Sequence, residues 1–276
     1  MMKKNNFIST ILCSLLYIAT FFSVIVMIFI IAHIFIKGLP YIDKNLFALE
    51  YTSENVSVIP ALLNTLCITL LTLLITVPSG IFAAIYLTEY ANSNNKFVKF
   101  IRITTQTLTG IPSIIYGLFG MLFFVTFLKW GYSLISGTLT LCIIILPVII
   151  RTTEEALFAV PDIYREASFG LGAGKLRTIF KVILPCAVPG ILSGVILSTG
   201  RIIGETAALI YTAGTVANIP SNIFASGRTL SVHMYILSSE GLHINKAYST
   251  AVILLVIVFG INALSSLLAK KVTFTK

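Results

Sequence analysis

The sequence predicts an all-α integral membrane protein with about six transmembrane helices and no separate soluble domain. Hydrophobic residues make up 57% of the 276 positions and charged residues only 11%, and the mean hydropathy is +0.98. Soluble domains carry roughly 45–50% apolar and about 25% charged residues. Runs of about 20 apolar residues can cross the hydrocarbon core as helices, and they differ from the alternating segments of about ten residues that are typical of membrane β-barrels.

Six apolar runs supply the predicted spans, because backbone polar groups in lipid must be satisfied within each helix. They lie at residues 11–36, 58–87, 103–128, 133–150, 183–211 and 247–269. The first run follows a lysine pair, as in a signal peptide, but it is longer than a signal h-region and no A-x-A-like site follows it. We therefore expect it to be retained as a span. Pro112 and Pro147 are expected to kink or interrupt the third and fourth spans.

This pattern divides the chain into two parts. Residues 1–57 contain the first transmembrane helix and an external loop, and residues 58–276 form the transmembrane core with a cytoplasmic loop at 151–182. If the N-terminus is cytoplasmic, the external segments hold only a minority of the basic residues. These are Lys37, Lys44, Lys129, Arg228 and Lys246. The positive-inside rule then predicts that both termini lie in the cytoplasm.

Several function classes are not expected from this composition. The formal net charge is +9, but the basic residues lie in short loops and form no continuous stripe, so a nucleic-acid partner is not expected. The four cysteines lack metal-type spacing, and His233 and His243 lack a third donor, so no metal site is expected. A membrane enzyme needs a nucleophile, a metal site or a catalytic carboxylate pair near the interface. None is visible, so the chain is not expected to be an enzyme.

The segment at 151–182 is more polar than its neighbours but keeps helical periodicity. Pro161 suits the first turn of a short helix, and the glycines that follow at 170–174 end it. Ile163 and Ala167 share one face of this helix and leave a narrow surface that another protein can approach. The alternative is a hairpin on the membrane surface, with its basic residues on lipid headgroups.

Arg201 and Glu205 are expected to be the only charged residues within a span. A charge near the bilayer centre costs about 2.5–3.5 kcal/mol on insertion scales and usually faces the bundle interior or a water-filled path. Four residues apart on one helix, the two are expected to pair. A guanidinium suits an oxyanion, while the alternatives are a structural ion pair or a proton relay. Arg151, at the predicted cytoplasmic end of the fourth span, either helps an anion leave or anchors its helix to headgroups.

The external segment at 212–246 is expected to be a solvated connector. Contact with an external partner is the alternative, because the segment is long and carries several charged and polar residues.

Within the cytoplasmic loop, Glu166-Ala167-Ser168, three residues, Gly172, nine residues and then VILP resemble the EAA loop of importer-type ABC permeases, with Ser168 and Val182 in place of the usual Ala and Ile. The resemblance implies the type I ABC permease fold and a coupling helix at about 161–174 that docks on a separate ATPase. It implies contact residues, which are Tyr164, Glu166, Ala167 and Gly172. The chain has no G-x-x-x-x-G-K-[ST] phosphate loop. ATP and Mg are therefore expected on the partner ATPase, and no cofactor is expected in this chain.

Three further motifs resemble the permease subunits of phosphate-importing ABC transporters. They are IYLTEYA at 85–91, TGIPSIIYGLFG at 109–120 and RIIGETA at 201–207. The resemblance implies a substrate path that contains Arg201, Glu205, Thr206 and Arg151. It implies a second permease subunit in a heterodimer, an ATPase dimer, an external phosphate-binding protein and a place in the bacterial plasma (inner) membrane, in contact with lipid. Phosphonate, sulfate or molybdate as the transported anion, and an ion-driven secondary transporter, stay open as alternatives.

Overall fold

The computed structural model describes residues 2–92 and 95–274, and the side chains of residues 9–92 and 95–267. Within these residues the fold is entirely helical. The helices are α1 (Met2–Gly38), α2 (Ile59–Ile85), α3 (Lys96–Thr109), α4 (Ser113–Gly120), α5 (Leu134–Phe158), α6 (Asp162–Gly170), α7 (Lys175–Thr178), α8 (Leu184–Gly204), α9 (Ala207–Ile210), α10 (Leu230–Glu240) and α11 (Ile244–Phe274). Short 3₁₀ turns follow α1, and π-helical turns extend α2 and α4 and join α7 to α8.

The predicted spans are confirmed as helices, and the third of them is broken. Five helical stretches are long and apolar enough to cross a membrane, and the bent pair α3 and α4 brings the number to as many as six in the part of the chain that the structure describes. These two helices meet at 102°. The bend lies at Pro112, which has an extended backbone (ψ 137°) and caps α4. A continuous third span at 103–128 is therefore wrong, and the interruption expected at Pro112 is confirmed.

Pro147 does not interrupt its helix. Helix α5 runs through this proline and continues to Phe158, about two turns beyond the predicted end at residue 150. The polar segment at 151–182 therefore begins inside α5, and only its later part forms separate short helices.

Small residues set the register between α5 and its two neighbours. A Cβ on Gly190 or Gly194 of α8 would meet Ala156 or Thr152 of α5, so these two helices are antiparallel. A Cβ on Gly80 of α2 would meet Ile149 of α5, and Cys142 Sγ of α5 lies 4.0 Å from the carbonyl oxygen of Thr72 in α2. The two contacts show that α2 and α5 are parallel. Close approach through small residues is typical of helix packing in membranes.

The bundle has two polar ends, which we name by their short helices. The end of α5 at Phe158 adjoins α6, and we call it the α6 face. The start of α5 is bonded to the segment before α10, through Leu134 N to Ala225 O and Ile135 N to Ile223 O, and we call this end the α10 face. Helix α1 packs against α11 near Gly38, while most of its apolar side chains are exposed along its length. The expectation that the α6 face is cytoplasmic stays a prediction.

Candidate functional site

Arg201 lies near the middle of the bundle and is exposed on the surface of α8. Since Gly190 is level with Ala156 and Gly194 with Thr152, the antiparallel register places Arg201 level with about residue 145, roughly halfway along α5. This position agrees with the mid-span location that the sequence predicts. A permanent cation at this depth needs water or a polar partner in the assembled protein.

Arg201 does not pair with Glu205, so the predicted ion pair is wrong. Helix α8 ends at Gly204, and Glu205 is extended (φ −69°, ψ 126°). The Glu205 side chain turns to the next helix, where its Oε1 accepts a hydrogen bond from Ala208 N at 3.2 Å. Glu205 is 9% exposed whereas Arg201 is exposed, and no ion pair joins them among the described residues. The fifth span therefore ends at Gly204 and not at residue 211.

The break after α8 lies against the break in the third span. A Cβ on Gly117 of α4 would come within 2.8 Å of Ala208 Cα, so α4 and α9 are in close contact. Tyr116 of α4 is within electrostatic range of Arg201 and donates its hydroxyl to Leu108 O at 2.7 Å. Non-helical backbone at membrane depth is tolerated where it is buried in protein or borders a cavity. Two interrupted helices thus meet beside the mid-span arginine.

Thr206 lies inside the second break. It is half-buried, and its hydroxyl donates to Gly204 O at 3.3 Å. The adjacent carbonyl of Glu205 accepts a hydrogen bond from Ser231 Oγ at 2.7 Å, which ties the break to α10.

Arg151 lies on α5 toward the α6 face and is not close to Arg201. It forms an exposed ion pair with Glu155 at 2.9 Å. Both line a cleft of about 240 Å³ with Arg102 and Glu154, which form a second ion pair at 3.2 Å. Because α5 extends to Phe158, three charged residues lie within the helix of this span, so the expectation that only Arg201 and Glu205 do so is wrong.

The short helix predicted within residues 161–174 is confirmed as α6, and its coupling role stays a prediction. Pro161 caps its N-terminus, and Gly172 follows its end with φ +80°, in the left-handed region that favours glycine. Its contact with the bundle centres on Arg165, whose side chain reaches Glu89 at 2.7 Å and the carbonyls of Leu157 and Val160. Helix α6 is therefore fixed to the ends of α2 and α5.

The outer side of α6 is exposed and partly apolar. The four residues expected at an ATPase contact, Tyr164, Glu166, Ala167 and Gly172, are all exposed. Ile163 is 68% exposed and Leu171 is 90% exposed. In the segment that follows α6, by contrast, Ile179 is buried. A contiguous apolar surface beside polar residues is typical of a site for another protein.

The segment at 212–246 is not a simple solvated connector, which corrects the expectation from its polarity. It contains α10, and Arg228 is only 5% exposed while His233 is 0% exposed. Leu230 N donates to Thr65 Oγ1 at 2.8 Å, which fixes the segment to α2. Nothing in the local sequence signals this burial, because the partners are distant in the chain.

Comparisons with known proteins agree with this architecture. Residues 76–274 match the model of the family "Binding-protein-dependent transport system inner membrane component". The chain is 38% identical over 232 residues to the probable ABC transporter permease protein YqgI of Bacillus subtilis, which covers 77% of this chain and 79% of that protein.

Other relatives carry a more specific name. The chain is 38% identical over 236 residues to the phosphate transport system permease protein PstA of Pasteurella multocida, covering 80% of this chain and 81% of that protein. It is 36% identical to the PstA of Mycobacterium leprae over 192 residues, covering 67% of this chain and 62% of that protein.

Solved structures show the same fold at low sequence identity. A bacterial alginate ABC transporter aligns with a TM-score of 0.73 at 16% identity, covering 99% of this chain and 98% of that one. The MetNI methionine ABC transporter aligns with a TM-score of 0.62 at 21% identity, covering 78% and 94%. The match to the family model spans most of the transmembrane core, and the relatives cover more than two thirds of the chain. The chain is therefore a multi-pass inner membrane protein that belongs to the family of binding-protein-dependent transport system inner membrane components.

Proposed function

We propose that this chain is the PstA-type permease subunit of an ATP-driven importer of inorganic phosphate. The observation that carries the proposal is its 38% identity to a phosphate transport system permease protein PstA over 80% of the chain. The chain itself is proposed to be a transport subunit and not an enzyme, with ATP and Mg on a separate ATPase.

The proposed substrate path passes Arg201. Its support is a permanent cation that is exposed near the middle of the bundle and beside two helix breaks. A guanidinium offers planar donors that match a phosphate oxygen pair. Glu205 and Thr206 form the break between α8 and α9, which lies next to Arg201 in the proposed path. Because the Glu205 carboxylate is hydrogen-bonded to Ala208 N, it does not neutralise Arg201, whose guanidinium can bind an anion.

Arg151 is proposed to act at the α6 end of the path. Its partner Glu155 is exposed, and exposed ion pairs contribute little energy, about 0–1 kcal/mol. Replacement of the Glu155 carboxylate by a departing anion therefore costs little free energy. Its cleft also contains the Arg102 guanidinium.

The ATPase is proposed to dock on α6 through Tyr164, Glu166 and Ala167, with Gly172 at the edge of the contact. The support is the exposed, partly apolar surface there, together with the Arg165 contacts that connect α6 to two spans. The proposed assembly contains a second permease, PstC, two copies of the ATPase PstB, and the phosphate-binding protein PstS. The side of α8 on which Arg201 is exposed then faces PstC across the path.

Uptake of labelled phosphate tests the proposal. In cells without other phosphate transporters, deletion of this gene should abolish uptake, and restoration of the gene should recover it. Excess unlabelled phosphate should compete, whereas phosphonate, sulfate and molybdate should not. Depletion of ATP at constant membrane potential should stop uptake, and continued uptake under that condition would instead support an ion-driven transporter.

A further inference from the structure

Helix α3 lies across the end of the bundle at the α6 face. Helix α4 runs toward the α10 face, because a Cβ on Gly120 would meet Thr140 of α5 and the chain then continues to Leu134, where α5 begins. Helix α3 meets α4 at 102°. The axis of α3 is therefore nearly perpendicular to that of α4, and a helix with this direction lies close to the membrane plane.

The inner side of α3 contacts the end of α5 along its length. Val98 is buried in a cluster that includes Leu157. One turn further, Arg102 Nε donates to Glu154 Oε1 at 3.2 Å. Another turn further, Gln106 lines the cleft formed with the last two turns of α5. Over about two turns, α3 thus stays level with the same short part of α5.

The outer side of α3 is apolar and basic. Phe97, Phe100 and Ile103 are each 63–65% exposed, and their spacing of three residues places them on one side of the helix. Lys96 and Lys99 are exposed beside them, and no ion pair joins either lysine among the residues that the structure describes. Exposed aromatic side chains flanked by lysines are typical of a helix that lies in the membrane interface.

Exposed tyrosines lie at the same level of the bundle. Tyr86 and Tyr90 are exposed in the turn that extends α2, and Arg102 Nη2 donates to Leu87 O in that turn at 3.0 Å. Tyrosine is enriched where a membrane meets water. One turn earlier on α2, Phe82 is also exposed, so the apolar surface of this span reaches the level of α3.

We propose that α3 lies in the membrane interface at the α6 face and binds anionic phospholipid. Lys96 and Lys99 contact the headgroup phosphates, and the three exposed apolar side chains enter the acyl region. Zwitterionic lipid carries the same phosphate but no net charge, so the two lysines favour anionic lipid. Phospholipid is favoured over a docked protein, because the apolar side of α3 continues the exposed apolar surface of a span.

Photocrosslinking tests this surface in the purified protein, with its co-purifying subunits, in nanodiscs of equimolar phosphatidylcholine and phosphatidylglycerol. With p-benzoylphenylalanine in place of Phe100, mass spectrometry should find phospholipid adducts. Phosphatidylglycerol should exceed phosphatidylcholine among them by at least about fivefold. Lys96→Gln combined with Lys99→Gln should remove this preference, and the two Lys→Arg changes should keep it. Lys129→Gln, at an exposed cation near the start of α5, is the matched control and should leave the preference unchanged.

The position of each adduct along the acyl chain tests the direction of α3. Phe97 and Ile103 are six residues apart, about 9 Å along a helix axis. With p-benzoylphenylalanine at either position, a helix in the membrane plane gives adducts at nearly the same depth.

Four results would overturn the proposal. They are adducts to a partner subunit in place of lipid, equal yields with the two lipids, an unchanged preference in the double Lys→Gln variant, and an adduct at residue 103 that lies about 9 Å deeper than that at residue 97. The last would show that α3 crosses the membrane. Because no readout involves transported phosphate, either result leaves the proposed function untouched.

Discussion

Arg165 Nη2 lies 2.7 Å from Glu89 Oε1, and this ion pair joins α6 to the end of the second span. Both side chains are largely buried, at 17% and 10% exposure. Arg165 also donates hydrogen bonds to the carbonyl oxygens of Leu157 and Val160. One side chain therefore connects α6 to the ends of both α2 and α5.

Glu89→Gln should destabilise the attachment of α6 by about 1–3 kcal/mol, because it leaves the largely buried Arg165 guanidinium with only the exposed Asp162 carboxylate as a charged partner. Transport per ATP hydrolysed should fall more than ATPase binding does. The matched control is Asp162→Asn, which removes the other carboxylate on Arg165. Asp162 is 85% exposed, so its loss should cost less than about 1 kcal/mol. Equal losses in both variants would contradict the role of the buried pair.

Gly172→Ala should destabilise the loop after α6 by about 1–2 kcal/mol, because φ is +80° and an L-residue is strained there. Gly170→Ala is the matched control. Gly170 is helical, and a Cβ there meets nothing within 4 Å, so this change should be neutral or stabilising by up to about 1 kcal/mol. Thermal unfolding of the purified complex measures both. Gly172→Trp should in addition block ATPase docking, and normal co-purification and transport by that variant would contradict the docking assignment.

Acidification should destabilise the protein through His233. Its folded pKa of about 3 is below the unfolded value of about 6.5, so the contribution is complete above pH 6.5 and is lost as the pH falls toward 3. Between pH 7 and pH 5 the loss is roughly 2 kcal/mol. His233→Phe keeps a ring against Tyr51 and removes the titration, so its melting temperature should fall less over that interval. An identical pH dependence in both proteins would contradict a buried, neutral His233.

Arg201→Gln should strongly reduce phosphate uptake, because it removes the proposed anion-binding charge. It should leave assembly intact, because Arg201 is exposed on α8 and forms no ion pair with any described carboxylate. Glu205→Gln keeps an oxygen that can accept from Ala208 N, so it should retain the α9 cap and lower stability by less than about 1 kcal/mol. In the double variant, uptake should stay as low as in Arg201→Gln. Near-normal phosphate uptake by the double variant would be decisive against an anion-binding role for Arg201.

The spans and the short helix α6 could be predicted from local sequence features alone. Hydropathy is a sum over a local window, and a span needs only length and apolar side chains, so the runs and their number could be predicted. Pro112 and Gly172 restrict or extend the backbone conformations available at their own positions, and this effect does not depend on the rest of the fold. The helix at 162–170 and the break at Pro112 are therefore visible without tertiary information.

The placement of the charged side chains, in contrast, depends on how distant helices pack. An i, i+4 ion pair on a helix contributes about 0.2–0.5 kcal/mol, less than the roughly 1 kcal/mol typical of a helix cap. Glu205 therefore leaves α8, and its side chain accepts a hydrogen bond from Ala208 N in the first turn of α9, while Ser231 Oγ donates to its carbonyl from 26 residues away. Arg228 is buried by Tyr51, which lies far away in the sequence. Burial and pairing across such separations depend on the register in which distant helices pack, and no local window of sequence contains that register.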